Sequence, residues 1–246
     1  MLLALFLIDL AAGLYLFLPL VGRRNAGVKF YRLILISSGV LALCAYFADF
    51  AAHGGHFRIQ ALPAIALTII VFATLRYPKR LIFRIPAALL GIAYIILPVI
   101  AWHEATHASI PWSIVGALSS VALLGSVNLA MLLGHWYLVV RGMAIDPLKR
   151  LTIATLAATS LKIIAVTIAI VAGGAWYEVA IRQGIFFWMR AGWGLMGPLL
   201  LYPMVWGTVK IRSTMAATGI LYVDVVAVVI GEVLGAWLSA IAHLPV

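Results

Sequence analysis

Two groups of residues in this 246-residue sequence have types and spacings suited to chemistry. The first is His103-Glu104-Ala105-Thr106-His107, an H-E-x-x-H pattern. On a helix that spacing puts two imidazoles on one face, and the glutamate can act as base toward a metal-bound water. A catalytic zinc takes a third protein ligand, for which His53 or His56 is the best-placed donor. One reading is an outer-rim metal-dependent hydrolase, although Pro111 follows closely enough to work against helical geometry. The plainer reading is a solvated pair of histidine-rich loops. A b-type haem would want two facing histidines. His53 or His56 could face His103 or His107 near the surface, whereas His135, beside Trp136 and Tyr137, has the setting of an interfacial residue.

The second group is a set of ionisable residues within long apolar stretches: Asp9, Asp49, Lys162, Arg190, Asp224 and Glu232. An ionisable side chain at the centre of a bilayer costs roughly 2.5–3.5 kcal/mol on insertion scales, so each one asks for a partner or a function. Counting from the ends of the stretches puts Lys162 and Asp224 near mid-membrane. Asp49, Arg190 and Glu232 fall in the outer half, and Asp9 in the outer half or near the middle. Two charge-compensated clusters are therefore expected, one central and one outer. They serve either as buried ion pairs that fix helix packing or as a proton route or polar pocket for a quinone head group. Gly231 and Gly235 flank Glu232 as Gly-x-x-x-Gly, and Gly192, Gly194 and Gly197 follow Arg190. Small residues let helices approach closely, which would bring Arg190 to Glu232.

The elements that must hold these residues are transmembrane helices. The chain is 65% hydrophobic and only 10% charged, with a mean hydropathy of +1.16. No soluble globule could cover that much apolar surface. Apolar runs lie at about 1–21, 33–53, 61–75, 85–102, 111–140, 151–175, 185–209 and 214–241. They are continuous and too long for the alternating strands of a barrel, so an all-α, polytopic bundle of about eight spans is expected. Residues 1–246 form one transmembrane domain with no soluble part. Lys and Arg number thirteen in the odd-numbered connections and two (Arg58 and Arg182) in the even ones. Cytoplasmic loops retain such residues. The odd connections are therefore predicted to face the cytoplasm, with both termini outside a bacterial-type inner (plasma) membrane. The arginines follow the first run instead of preceding it, which favours a retained helix over a cleaved signal. Pro198 and Pro203 predict a kink or local unwinding in the seventh run. The net charge of +10 sits between runs and forms no basic stripe interleaved with aromatics, so no nucleic-acid partner is expected. The lone Cys44 excludes an intrachain disulfide.

The last span, with Gly231-Glu232-Val233-Leu234-Gly235 in an aliphatic helix, resembles the final helix of membrane-anchor subunits of the dimethyl-sulfoxide-reductase type. The eight-span topology with outside termini is similar as well. The resemblance covers about a tenth of the chain. It implies an anchor that binds other protein subunits of a respiratory complex and exchanges electrons with quinol at the outer side, with Glu232 as the place to look. The leading expectation is accordingly a quinone-interacting membrane subunit. A stand-alone proton-coupled transporter or channel, built on the same buried charges, is the alternative, although no internal repeat is visible.

Overall fold

The computed structural model describes residues 1–52, 62–140 and 142–246. Helices account for nearly all of them, and no strand occurs among them. In chain order the helices are α1 (Leu2–Val21), α2 (Arg23–Ala52), α3 (Leu62–Thr74), α4 (Leu81–Thr106), α5 (Ile110–Val139), α6 (Asp146–Ala172), α7 (Ile185–Met189), α8 (Gly197–Lys210) and α9 (Thr214–Ala242). Two π-helical segments, Tyr177–Arg182 and Arg190–Met196, flank α7. Each of the eight apolar runs falls on a helix, except that the seventh is shared by α7, the second π segment and α8. Among the described residues six helices, α1, α2, α4, α5, α6 and α9, are long and apolar enough to cross a membrane.

The surface is as apolar as the interior, and several charges lie inside. Ile69, Ile92, Ile153, Ile168, Val171 and Leu200 are among many large apolar side chains that face outward, while Asp9, Lys162, Arg190, Asp224 and Glu232 are buried. That distribution suits a bundle solvated by lipid, which tolerates exposed isoleucine and forces charge inward.

The central member is α5, which packs against α1, α4, α6 and α9. Apolar attraction between helices is weak where the solvent is itself apolar, so van der Waals packing of small residues has to bring backbones together. Three glycines spaced nine residues apart do this on α5. The Trp102 ring of α4 lies against Gly116, where an added Cβ would stand 2.7 Å from the ring. At Gly125 the backbone of α1 crosses: a Cβ on Gly13 would stand 2.5 Å from both Gly125 Cα and Val121 O. At Gly134 a Cβ would meet Thr218 Oγ1 of α9 at 2.8 Å.

The seventh run departs from α geometry for a readable reason. Pro198 has no N–H to donate to the carbonyl four residues back and its ring crowds that carbonyl. Just ahead of it the Gly197 N–H reaches Gly192 O, five residues back. The extra residue per turn is the π-helix Arg190–Met196, so the expected local unwinding takes the form of a π turn. Pro203, by contrast, is accommodated within α8.

The glycine crossing makes a direct prediction. Gly13→Ala or Gly125→Ala should lower thermal stability in detergent by roughly 1–3 kcal/mol, the usual cost of overpacking. Gly219→Ala on α9, where an added Cβ meets nothing within 4 Å, should be neutral or stabilising by up to about 1 kcal/mol. Equal melting shifts in all three variants would show that the crossing does not set the stability of the bundle.

Candidate functional site

Six elements converge on one buried ionic network. Glu232 of α9 is its centre. Its Oε1 accepts a hydrogen bond from Arg190 Nη2 at 2.7 Å, and its Oε2 lies 3.4 Å from Lys162 Nζ. Lys162 of α6 also donates to Ser120 Oγ of α5 at 2.7 Å and lies 5.4 Å from the centroid of the Trp102 ring of α4. From the edge of that indole, Trp102 Nε1 donates to Asp9 Oδ2 of α1 at 3.1 Å. Arg190, Lys162, Glu232 and Asp9 are each at most 4% exposed. Two carboxyl groups and two cationic side chains thus balance within one apolar interior, the condition under which buried charge is tolerated.

Local sequence explains the positions. Arg190 opens the π turn, and its guanidinium lies over a glycine-lined face of α9. A Cβ at Gly235 would stand 2.8 Å from Arg190 Nε, and one at Gly231 would stand 2.9 Å from Nη1. The backbones of Gly194 and Gly231 touch, leaving no room for a Cβ on either. The Gly-x-x-x-Gly around Glu232 therefore does two things: it lets the π segment cross α9 closely, and it makes space for the guanidinium.

Depth follows from position along each helix. Asp9 lies near the start of α1, Trp102 near the end of α4, and Ser120 in the first half of α5. Lys162 and Glu232 each lie ten residues before the ends of α6 and α9. At ~1.5 Å per residue the network sits roughly 6–15 Å below one end of the bundle.

This differs from the two clusters expected. Lys162 joins Glu232 instead of Asp224, so the central and outer groups are one. Asp224 and Glu232 are eight residues apart on α9, about 12 Å along the axis, and Lys162 meets the latter. Asp224 is buried with its Oδ1 unbonded. Asp49 is half-buried on α2, which packs on α1 and α3. Trp102 and Ser120 escaped sequence reasoning because neither is ionisable. The available signals were a tryptophan directly preceding the histidine motif and the Ser119-Ser120 pair within an otherwise apolar run.

The H-E-x-x-H segment does not have its required geometry. α4 ends at Thr106, and His107 is its cap in left-handed conformation with φ 53°. His103 and His107 therefore do not share a helical face. His103 Nδ1 is bonded to Ala108 O at 2.8 Å, and the His107 ring lies 6.4 Å from that of His243, whose Nδ1 meets Thr106 O at 2.6 Å. Among the described residues no three His, Cys, Asp or Glu side chains converge on a metal position. His53 and His56 lie outside the described residues. His135 is exposed, with its Nδ1 3.4 Å from Tyr222 Oη.

Chemically, the network combines groups of two kinds. Carboxyl groups and a lysine amine exchange protons, while arginine keeps its charge and fixes the local field. Asp9 Oδ1 and Arg190 Nε and Nη1 are buried and unbonded to protein, which leaves capacity for a water or a substrate oxygen. In comparisons with known proteins the chain matches no family model, no curated protein and no solved structure.

The bridging geometry ranks the consequences of substitution. Glu232→Gln strands two buried cations and should cost roughly 3–5 kcal/mol. Lys162→Met leaves the Arg190–Glu232 pair intact and should cost clearly less. Thermal unfolding of the two variants in the same detergent measures this, and equal losses would remove Glu232 from the centre of the network.

Proposed function

We propose that this chain is the quinone-interacting membrane subunit of a respiratory assembly, and that its buried network passes protons released or taken up at the quinone. The observation that carries the reading is the Lys162–Glu232–Arg190 bridge, with Asp9 held beside it by Trp102. Quinone chemistry at a membrane face couples electron transfer to proton transfer, so it needs exchangeable groups within reach of the bilayer. Asp9, Lys162 and Glu232 are such groups. Arg190 supplies a permanent positive charge that would steady a developing oxyanion on a quinone head group. The π turn at Arg190 adds to the case, because π segments inside helices recur at functional sites. The likeness of the last helix to the anchor subunits points the same way.

In this reading the chain crosses a bacterial-type inner membrane eight times, with both termini outside and the network in the outer half. A cysteine introduced at Ser109, in a Cys44→Ser background, should then react with a membrane-impermeant maleimide in intact spheroplasts. One at Arg212 should react only after lysis. The reverse pattern would invert the topology and put the network in the inner half.

The assembly itself is tested by gentle detergent extraction from native membranes and native mass analysis of what carries the chain. Co-migration with redox subunits at a fixed ratio is expected. Migration alone or as a homo-oligomer would overturn the subunit reading in favour of a stand-alone proton-coupled transporter built on the same network. Within an intact assembly, Asp9→Asn keeps an acceptor for the Trp102 indole but loses the exchangeable proton. It should slow quinol-dependent turnover by about 10²-fold, and full turnover in that variant would take Asp9 out of the proton path.

A further inference from the structure

At the end of the bundle opposite the ionic network, a cavity of about 480 Å³ opens between α1, α2, α3 and α4. Its volume lies within the range of about 300–1,000 Å³ common to small-molecule sites. The walls are apolar and aromatic, with Leu16, Leu35, Val71, Leu75 and Phe83 among them. Two tyrosines also line it, but both hydroxyls are engaged: Tyr15 Oη donates to Ala87 O at 2.8 Å and Tyr31 Oη donates to Leu18 O at 3.2 Å. The remaining polar group is Arg23, whose Nη1 is buried against the cavity without a hydrogen-bond partner.

Charge around this site is one-sided. Eight basic residues fall at this end, Arg23, Arg24, Lys29 and Arg32 in the first part of α2, Arg76, Lys79 and Arg80 between α3 and α4, and Arg84 in the first turn of α4, and no Asp or Glu occurs between Asp9 and Asp49 or between Asp49 and Glu104. Arg23 therefore has no carboxylate within its own part of the chain, in contrast to Arg190, which has Glu232. An apolar chamber with one unmatched guanidinium at a basic rim is complementary to an amphiphile that has an anionic head and a hydrocarbon tail.

We propose that this cavity is a binding site for an anionic phospholipid, with one acyl chain between α1 and α4 and the phosphate on Arg23. Arginine presents several N–H donors in a planar fork that fits phosphate oxygens. The aromatic and branched walls contact the chain without demanding a particular length. The site is independent of the quinone reading and needs only that the bundle sits in a bilayer.

The test uses the full chain, purified in neutral detergent, delipidated, and offered phosphatidylglycerol or phosphatidylcholine of identical chains. Native mass spectrometry should show one phosphatidylglycerol retained per chain, with about tenfold preference over phosphatidylcholine, whose phosphate charge is offset by its own choline ammonium beside the basic rim. Arg23→Gln should erase the preference, while Arg24→Gln, at an exposed position, should keep it. Gly91→Leu narrows the chamber at a position where a Cβ meets only Tyr15 Cε1, at 3.9 Å, so it should fold and lose retention of both lipids. Equal retention of the two lipids, or an unchanged preference in Arg23→Gln, would overturn the proposal. Full displacement by glycerol phosphate, or undiminished retention in Gly91→Leu, would make it a free-anion site with no role for the chamber. Should Arg23→Gln fail to fold, Gly91→Leu and the head-group comparison still decide.

Discussion

Glu232 has two carboxylate oxygens and gives one to each of two cations, Arg190 Nη2 at 2.7 Å and Lys162 Nζ at 3.4 Å. In water such contacts would stabilise little. Inside a bundle with a largely apolar outer surface, Glu232 is the carboxylate paired with each cation, and an unpaired charge there costs several kcal/mol. The carboxylate thus ties α6, the π segment and α9 together, and through Ser120, Trp102 and Asp9 the constraint extends to α5, α4 and α1. Such pairing adds specificity more than stability: it selects one arrangement of helices that apolar packing alone would leave degenerate.

That selection is feasible only because backbones come close. Long cationic side chains need their helices near enough for the heads to meet, and glycine supplies the room. Gly194 and Gly231 touch, Gly235 leaves space under the Arg190 guanidinium, and Gly13 with Gly125 draws α1 onto α5. The π turn contributes in the same way. Pro198 removes an α-helical hydrogen bond, the Gly197 N–H shifts to Gly192 O, and the added residue changes the register between Arg190 and the helix that follows. Packing and electrostatics are here one problem.

Much of this was readable before any coordinates. Eight continuous apolar runs became helical segments, because in hydrocarbon the backbone has few other ways to satisfy itself. The contact of Arg190 with Glu232 followed from a short connection and from glycines on both segments. The partner of Lys162 did not. Depth counted from the edge of an apolar run carries an error of several residues, and each residue is ~1.5 Å along the axis. Lysine spans several ångströms more, so Asp224 and Glu232 were both within nominal reach. Trp102 and Ser120 were missed because a search confined to ionisable residues overlooks the neutral groups that orient them. The histidine motif misled for a local reason: spacing implies a shared face only while the helix continues, and α4 stops at Thr106 with His107 turned left-handed.

The two ends of the bundle solve the problem of charge differently, and the difference bears on what each end can do. At one end, cations and carboxylates are matched inside the protein. At the other, eight basic residues at the start of α2 and around the start of α4 stand in a stretch of chain that holds no acid beyond Asp49. Asp146 at the start of α6 is one acid at this end, and the excess of positive charge is left to counter-charges outside the chain, which a membrane surface offers as phosphates. The gradient from internally balanced to externally balanced charge runs along the same helices, since α1 and α4 contribute Asp9 and Trp102 to the network and Tyr15 and Phe83 to the chamber. A tilt of either helix would alter both ends at once.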